Sequence, residues 1–369
     1  MNPRKTRLAE FISAFTLFEI GSTTLFQIGA EAKQDAWLAM TLAACVGFLL
    51  LMLHLAIFKR DPKRDLFELC RHYFGKVLGN LAVIIFGAYF AYEASRNLRD
   101  VGELAAYMLL NRTPLFIIML LCILVIANII RYGPHAAFLL MLVLLPFIVF
   151  SYFLLISMIF GVGLPKLENM EPILEDGLGP VLKVVPDIIS FPFAQTVLFL
   201  VFFPMVREEK GIEKSMLIGY TSVAIFLILV NHMNVLVLGT KLADTVSFPL
   251  LQVVQLIELA EIFERMDILF VLVLFIGLGA KLLFFYMGAV KGFSNLTRTS
   301  FKKWILPIGI AIYALSFASP NFTHHLWVGI SVVLKYYPII QIGLPALLFI
   351  VMLVRNKQRT REEEQMDNS

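Results

Sequence analysis

The chain has 369 residues, of which 59% are hydrophobic and only 16% are charged, and its mean hydropathy is +0.82. A membrane-crossing helix needs about 20 apolar residues, and the chain supplies that length many times over, so we classify it as a polytopic all-α membrane protein. The net charge of +4 gives no indication of a nucleic-acid partner. The three cysteines, Cys45, Cys70 and Cys122, indicate neither a disulfide framework nor a metal site.

The first apolar run follows Arg4, Lys5 and Arg7 and superficially resembles a secretory signal peptide. Glu19 lies within that run and many apolar segments follow it, so the sequence predicts a retained first helix. We predict ten membrane spans from the apolar segments. They cover residues 8–29, 35–58, 77–107, 114–131, 137–160, 185–206, 215–238, 267–293, 303–318 and 327–354.

Loop charge predicts the orientation of these spans. Basic residues concentrate at both chain ends and in every second loop, and the opposite loops hold only six: Lys33, Arg112, Lys166, Lys183, Lys241 and Arg265. Because positively charged loops stay cytoplasmic, both termini are predicted to be cytoplasmic and the number of spans to be even. The acidic loop over 161–184 and the segment 249–263 are then outside.

The first span carries an interruption signal halfway along its length. The residues there are an acid, a glycine and three hydroxyl residues: Glu19, Gly21, Ser22, Thr23 and Thr24. Gly21 weakens the helix, and the hydroxyls offer partners to the carbonyls that it releases. A broken helix is tolerated in a membrane only where the break lines a protein-buried cavity. One interpretation is a discontinuous helix with a ligand site; the other is an ordinary span with a small-residue packing face.

The third span carries a polar stripe on less than half of the helix circumference: Glu93, Arg96, Asn97, Arg99, Asp100 and Glu103. The spacing predicts three intrahelical ion pairs: Glu93–Arg96, Arg96–Asp100 and Arg99–Glu103. Charge within a span is costly, so the stripe faces the bundle interior or water. Both a direct ligand role, with Glu93 and Asn97 as candidates, and a neutralised structural network fit this pattern.

A second interruption is predicted in the sixth span, where residues 190–195 read SFPFAQ. Pro192 removes a helix donor, and Gln195 is expected to satisfy an exposed carbonyl. A proline kink without function is the alternative. Spans one and six begin two five-span halves, 8–160 and 185–354, and the odd number of spans makes the halves inverted. Interruptions at corresponding positions of inverted halves indicate a midplane site, here with Ser190, Phe191 and Gln195.

Two segments outside the spans have their own patterns. Apolar residues recur at helical spacing in 249–263, while Glu258 and Glu261 share the other face. This predicts a surface helix over the outer mouth, either a lid or a passive interfacial helix. The charged tail, 355–369, is predicted to be disordered and cytoplasmic.

Two lysines lie within apolar spans. Lys281 is near the middle of span eight, too deep to reach water readily, and needs a carboxylate or several carbonyls as partners. Lys335 precedes Tyr336 and Tyr337 near the outer end of span ten, where we predict an interfacial anchor.

Three stretches together resemble a known family over nearly the whole chain. They are EIGSTTLFQIGAEAKQDAWLA from Glu19, the basic loop with Asp-Pro-Lys-Arg-Asp from Asp61, and the polar third span followed by LLNRTP. In order and spacing they resemble the GerB-type spore germination proteins, which are endospore germination permeases of the amino acid–polyamine–organocation superfamily.

The resemblance implies a LeuT-type bundle of ten helices with a 5+5 inverted repeat and discontinuous helices one and six. It implies the B subunit of a nutrient germinant receptor in the spore inner membrane, with an A subunit and a lipoprotein C subunit as partners. The implied role is to sense a small nutrient, typically an amino acid, and to trigger germination. No cofactor is implied.

The residues suggest how such a nutrient binds. Half-helix N-termini beside Thr24 and Gln195 can hold a carboxylate, and an amino group would find the carbonyls freed near residues 19–22 or Ser190. In folds of this type the space between spans one and eight commonly holds a coupling cation. The Lys281 ammonium is expected to reach the freed carbonyls there and to replace that cation, with Glu19 as its counter-charge.

Two other functions remain open at this stage. The same fold serves secondary transport of amino acids or amines, and a structural subunit with a water or ion pathway is the third candidate. The sequence shows no nucleophile–base constellation, phosphate-binding loop or metal-ligand spacing among its six histidines, so we do not expect an enzyme.

Overall fold

The computed structural model describes residues 6–206, 211–258 and 266–367. This part of the chain is helical throughout, apart from connecting loops and one isolated parallel bridge between Thr6 and Val206. Arg4, Lys5, Glu261 and Arg265 lie outside the described residues. The helices are α1 (Leu8–Ile20), α2 (Ala36–Arg60), α3 (Leu66–Tyr73), α4 (Gly75–Met108), α5 (Leu115–Arg131), α6 (Pro134–Gly161), α7 (Leu178–Ser190), α8 (Ile212–Thr245), α9 (Pro249–Glu258), α10 (Met266–Thr297), α11 (Phe301–Leu315), α12 (Phe322–Trp327) and α13 (Leu344–Asp367).

Apolar length accounts for the membrane-crossing helices. Among the described residues, six helices are long and apolar enough to cross a membrane, or seven if the bent C-terminal pair is one span. α1, α5 and α11 have only 13, 17 and 15 residues. The multi-pass, all-helical architecture is therefore confirmed, whereas the count of ten spans stays a prediction.

α1 ends where the sequence predicts the first interruption. Ile20 is its last residue, and Gly21 donates its N–H to the Leu17 carbonyl before the backbone leaves the helix. The chain then forms a 3₁₀ turn at Thr23–Leu25 and a 3₁₀ segment at Ala30–Asp35. The first span is therefore discontinuous, and its C-terminal part is irregular chain rather than a second α-helix.

The sixth span is broken at Phe191 and Pro192, between α7 and a 3₁₀ segment at Phe193–Val201. The prediction that the preceding loop extends to residue 184 is wrong, because α7 begins at Leu178. Its first turns are amphipathic, and the exposed Lys183 ammonium donates to Glu31 at 2.9 Å. The helix therefore starts before its apolar stretch does.

Aromatic rings fill the bundle on the N-terminal side of the first break. The Phe199 ring centroid lies 5.5, 5.1 and 5.3 Å from those of Phe11, Phe15 and Phe18. Phe18 packs against Phe285 of α10 with centroids 5.0 Å apart, and all five side chains are fully buried. This inner aromatic cluster holds α1, α10 and the Phe193–Val201 segment together.

The last span departs most from the prediction of one helix over 327–354. It starts with α12 and is bent by 42° between the segments Phe322–Lys335 and Ile339–Arg355. π-helical segments at Val328–Val332 and Ile339–Gly343 lie on the two sides of the bend. Pro338 lies in the bend, where it removes a backbone donor.

The prediction of a disordered tail is wrong for residues 355–367, because α13 continues to Asp367. The segment is rich in Arg, Gln and Glu, which have high helix propensity. It also extends an existing helix, so no new helix nucleus is required.

Two short helices pack at the ends of the bundle. α3, which the sequence did not lead us to predict, begins at a capping box in which Asp65 accepts the Phe67 and Glu68 amides at 3.0 Å. α9 buries its apolar face against α6, α8 and α10, beside the Thr23–Leu25 turn. It thus covers the bundle rather than lying in a lipid interface, and its role as a lid stays a prediction.

Candidate ligand site at two helix breaks

The first break packs tightly against α10. A Cβ atom on Gly21 would lie 2.6 Å from Cγ of Lys281 and 2.7 Å from the Phe18 carbonyl oxygen. A Cβ atom on Gly277 would lie 3.0 Å from the Gly21 carbonyl oxygen. The two glycines therefore allow α1 and α10 to cross at the break.

The three hydroxyl residues at the break have different partners. Thr23 donates to the Glu19 carbonyl at 2.7 Å, which is the backbone compensation that the sequence predicts. Thr24 shares a hydrogen bond of 2.7 Å with the Tyr152 hydroxyl of α6. Ser22 lines an internal cavity. The break is thus held partly by its own hydroxyls and partly by α6.

Three buried hydrogen bonds connect the second break with α10, α4 and the last span. Lys281 Nζ donates to Gln195 Oε1 at 2.6 Å, and Gln195 Nε2 donates to Glu93 Oε2 at 2.8 Å. The Tyr337 hydroxyl donates to Glu93 Oε1. We call these four residues, all of them buried, the central polar chain.

Two predicted partnerships are wrong. Gln195 does not satisfy a freed backbone carbonyl, because both ends of its amide bind side chains. Lys281 does not bind the carbonyls freed at the first break, because Gln195 accepts its hydrogen bond. Its Nζ also lies 4.5 Å from the Phe191 ring centroid and 5.4 Å from that of Phe18. Glu19 is within electrostatic range of Lys281, but its Oε1 has no hydrogen-bond partner among the described residues.

The carbonyl freed at the second break is satisfied by Gln341, from the π-helical segment after the bend. Gln341 Nε2 donates to the Ser190 carbonyl at 3.0 Å and to the Tyr89 hydroxyl at 2.7 Å. The Ser190 hydroxyl donates to the Pro186 carbonyl at 3.1 Å. Gln341 therefore has the role that the sequence predicts for Gln195.

Of the three ion pairs predicted within α4, only that of Arg99 and Glu103 forms, at 2.7 Å. The predicted Glu93–Arg96 and Arg96–Asp100 pairs do not form: Glu93 binds Gln195 and Tyr337, and Arg96 and Asp100 contact His325 of α12. Arg96 donates to the His325 carbonyl at 3.2 Å, and His325 Nε2 lies 3.0 Å from an Asp100 carboxylate oxygen. The packing of the last span against the polar stripe draws these groups away from each other.

Sequence reasoning missed Tyr337, Gln341 and His325. We predicted Tyr337 to lie at the membrane interface with Tyr336, but Tyr337 is buried and only Tyr336 is exposed. The signals that were present were Pro338, which predicts a break, and the amide of Gln341 within an apolar run.

An internal cavity of ≈ 50 Å³ lies between the first break, α4 and the last span, and Ser22, Glu93, Arg96 and Asn97 line it. Asn97 Nδ2 donates to the Glu93 carbonyl at 2.9 Å. Its Oδ1 is buried and has no partner among the described residues, so it can accept a donor from a bound molecule. A water occupies about 30 Å³ of liquid, so this cavity has room for one or two waters.

A second cavity, of ≈ 380 Å³, lies on the side of the predicted outer loops. Five apolar side chains line both cavities and therefore separate them: Phe26, Phe191, Leu326, Ile330 and Leu334. The Phe26 and Phe191 ring centroids are 6.5 Å apart. We call these five residues the hydrophobic partition.

The predicted ligand-binding residues divide into two groups. Four of them line the internal cavity of ≈ 50 Å³, which we call the inner cavity: Ser22, Glu93, Asn97 and Phe191. The other five shape the breaks or support the cavity residues: Gly21, Thr23, Thr24, Ser190 and Gln195. In the part of the chain that the structure describes, no group of three or more His, Cys, Asp or Glu side chains could hold a metal ion.

Comparison with solved structures identifies the fold. The chain is similar to Mhp1, a nucleobase-cation-symport-1 family transporter, in a closed conformation with bromovinylhydantoin bound. The TM-score is 0.64 at 10% identity, and the match covers 95% of this chain and 80% of that chain. This likeness confirms the LeuT-like fold that the sequence resemblance implied.

Sequence comparison gives the family. A family profile described as spore germination protein matches residues 7–325. The chain is 30% identical to spore germination protein KB of Bacillus subtilis (strain 168) over 98% of both chains. It is 24% identical to spore germination protein A2 of the same organism, over 89% of this chain and 88% of that protein. The chain therefore belongs to the spore germination protein family of multi-pass membrane proteins.

Proposed function

We propose that the protein is the nutrient-sensing B subunit of a spore germinant receptor and binds its nutrient between the two broken helices. The observation that supports this most directly is the central polar chain beside the inner cavity. A molecule in that cavity would contact Ser22 of the first break, α4 and the last span directly, and it would act on the second break through Glu93 and Gln195. Occupancy of one site can thus change the packing of four spans.

The cavity chemistry suits a zwitterion such as an amino acid. The Arg96 guanidinium, which donates to the His325 carbonyl only through Nη1, has further N–H groups for a carboxylate. The free Asn97 Oδ1 and the Ser22 hydroxyl can accept from an ammonium group. An amino acid needs more room than one or two waters, so binding requires the hydrophobic partition to move. Binding and conformational change are then coupled, because the ligand favours the wider state.

Lys281 is proposed to replace a coupling cation. Its stem packs on Gly21, and its ammonium lies between the second break and the acidic Glu19. A tethered ammonium supplies positive charge at this position without ion binding. The nutrient response is therefore expected to be independent of sodium.

The proposed setting is the spore inner membrane, with both termini cytoplasmic and with an A subunit and a lipoprotein C subunit as partners. Family membership and the relatives named KB and A2 support a place in germination. We propose a binding role without catalysis. Secondary transport of an amino acid or amine is the second candidate, favoured by the likeness of the fold to a symporter.

The test is a thermal-shift screen of the purified full-length protein in nanodiscs against each amino acid. A nutrient at 100 times its Kd should stabilise the protein by about 2.7 kcal/mol. Asn97→Ala should remove this shift. The matched control is Asn80→Ala, in the same helix, where Oδ1 is also buried without a partner, and it should keep the shift.

Two outcomes would contradict the proposal: no amino acid stabilises the wild-type protein, or the two asparagine variants respond alike. Uptake of the stabilising amino acid into proteoliposomes would instead favour the transporter function.

A further inference from the structure

A basic pocket lies at the end of the bundle away from the ligand cavity, where α3, the start of α4 and the end of α10 meet. Its volume is ≈ 460 Å³, and its lining residues are Glu68, Arg71, His72, Lys76, Asn295 and Arg298. The carboxylate of Glu68 accepts the Asp65 N–H at 3.1 Å within the capping box of α3. Among these lining residues, the three cations Arg71, Lys76 and Arg298 therefore meet one carboxylate, that of Glu68. That carboxylate is already bound to the Asp65 N–H.

Asn295 organises the two arginines of this pocket. Its carbonyl accepts from Arg71 Nη1 at 2.8 Å and from the Arg298 amide at 3.3 Å, and its Oδ1 accepts from Arg71 Nη1 at 3.2 Å. The described hydrogen bonds of Arg71 use only Nη1, which leaves Nη2 and Nε to bind a ligand. Arg298 adopts the left-handed backbone conformation with φ 54° directly after α10, where its N–H and that of Thr299 close the helix end on the Asn295 and Ser294 carbonyls. The pocket is thus pre-organised rather than a loose collection of loop charges.

The pocket borders the lipid-facing surface. Val77 and Leu78 follow Lys76 in the first turns of α4, and they are 81% and 62% exposed. Exposed apolar residues at the start of a membrane span face lipid tails, so Lys76 lies at the level of the headgroups. Partial burial and the Arg64 guanidinium lower the pKa of His72, so the positive charge at neutral pH comes from the arginines and the lysine.

We propose that this pocket binds the phosphodiester headgroup of an anionic phospholipid, such as phosphatidylglycerol. The Arg71 fork matches two phosphate oxygens, and Lys76 and Arg298 add charge on either side. The acyl chains then run along Val77 and Leu78. Basic pockets between spans on the cytoplasmic side bind anionic headgroups by this chemistry.

Binding in the pocket can be distinguished from a general attraction of lipid to the positive charge of this face. Arg131 and Lys214 are exposed on the same basic face, but they do not line the pocket. They therefore provide a control that removes the same charge from the same side of the membrane.

The test measures phosphatidylglycerol binding to the purified full-length protein by native mass spectrometry, with phosphatidylcholine as the reference lipid. Lys76→Gln combined with Arg298→Gln changes two exposed side chains, so the fold is retained. Each basic residue contributes about fivefold, so the pair should weaken the first phosphatidylglycerol about 25-fold. Arg131→Gln combined with Lys214→Gln should change it less than about twofold. Arg71→Lys, which keeps the charge but removes the fork, should also weaken binding.

Three outcomes would overturn the proposal. Equal weakening in both double variants would show a general surface effect. Binding of glycerol 1-phosphate as tightly as of phosphatidylglycerol would show a site for soluble phosphate. Equal affinity of the wild-type protein for phosphatidylcholine would show that the headgroup charge has no part in binding.

Discussion

The two sides of the helix breaks are packed in opposite ways. On the N-terminal side of the first break, the inner aromatic cluster fills the space between α1, α10 and the Phe193–Val201 segment with stacked and edge-on rings. On the other side lie two cavities that only the hydrophobic partition separates. One side is therefore closed by a thick layer of packing and the other by a single layer of side chains.

This difference predicts from which side a ligand would enter the proposed site. To open the side that the inner aromatic cluster closes, its five buried phenylalanines must separate, and each loses close contacts with its neighbours. To open the other side, the hydrophobic partition must move, but its Phe26 and Phe191 are only partly buried and border a cavity that already exists. For the residues that the structure describes, we therefore expect the predicted outer side to open with less rearrangement than the side of the inner aromatic cluster.

The largest effect on the nutrient response is expected from Gly21→Leu, where the two regions meet. Its side chain would overlap Lys281 and the Phe18 carbonyl, and overpacking of this kind costs about 1–3 kcal/mol or more. Spores with this variant should lose the response to limiting nutrient, while the protein still assembles. Ala311→Leu, on an exposed face of α11, is the control and should germinate normally. Normal germination of Gly21→Leu spores would remove the proposed ligand site.

The same substitution, phenylalanine to alanine, made once on each side of the breaks tests the difference between the two sides directly. Phe199→Ala leaves a cavity in the inner aromatic cluster and should cost about 3–5 kcal/mol of stability. Phe191→Ala, in the hydrophobic partition, should cost less stability but open the inner cavity. The readout is the rate at which a thiol reagent added outside labels Ser22→Cys in proteoliposomes, with the exposed Cys45 replaced by Ser. Faster labelling after Phe199→Ala than after Phe191→Ala would contradict the prediction that the hydrophobic partition is the easier barrier to open.

The smallest loss of stability in this series is expected from Lys281→Met, whose side chain lies between the two regions. The change leaves Gln195 Oε1 without a donor and Glu19 without its cation, and an unsatisfied buried acceptor costs about 1–3 kcal/mol. Thermal unfolding should show this loss, and Glu19→Gln in addition should restore part of it. The nutrient response should be lost in the single variant. A normal response would contradict the cation-replacing role, and loss without rescue would indicate that Glu93 is the main partner.

The sequence predicted the parts of the fold that local signals encode. Apolar length marked the spans, and Gly21 and Pro192 marked the two breaks. Glycine and proline weaken a helix at their own position, so their effect can be read from the local sequence. The partners of the polar groups were mostly wrong, since they depend on contacts between distant segments. Tyr337 reaches Glu93 across 244 positions, and Gln341 reaches Ser190 across 151. Contacts between positions so far apart in the sequence produce no periodic pattern from which they could be predicted.

Pairings within one helix were also predicted only in part. Arg99 and Glu103 pair as their spacing indicates, because both lie near the end of α4. Arg96 and Asp100 have the same spacing but face α12, where His325 offers each of them a partner. Tertiary packing therefore decided which of two equivalent pairs formed.

The bend in the last span makes α13 a lever arm. Tyr337 and Gln341 anchor the bend to α4 and to the second break through Glu93 and the Ser190 carbonyl. From Leu344 to Asp367 the chain is one helix of 24 residues, which at 1.5 Å per residue is a rod of about 36 Å. A rotation of about 5° at the bend would displace the far end of such a rod by about 3 Å. A shift too small to open the bundle would thus be enlarged at the far end of α13.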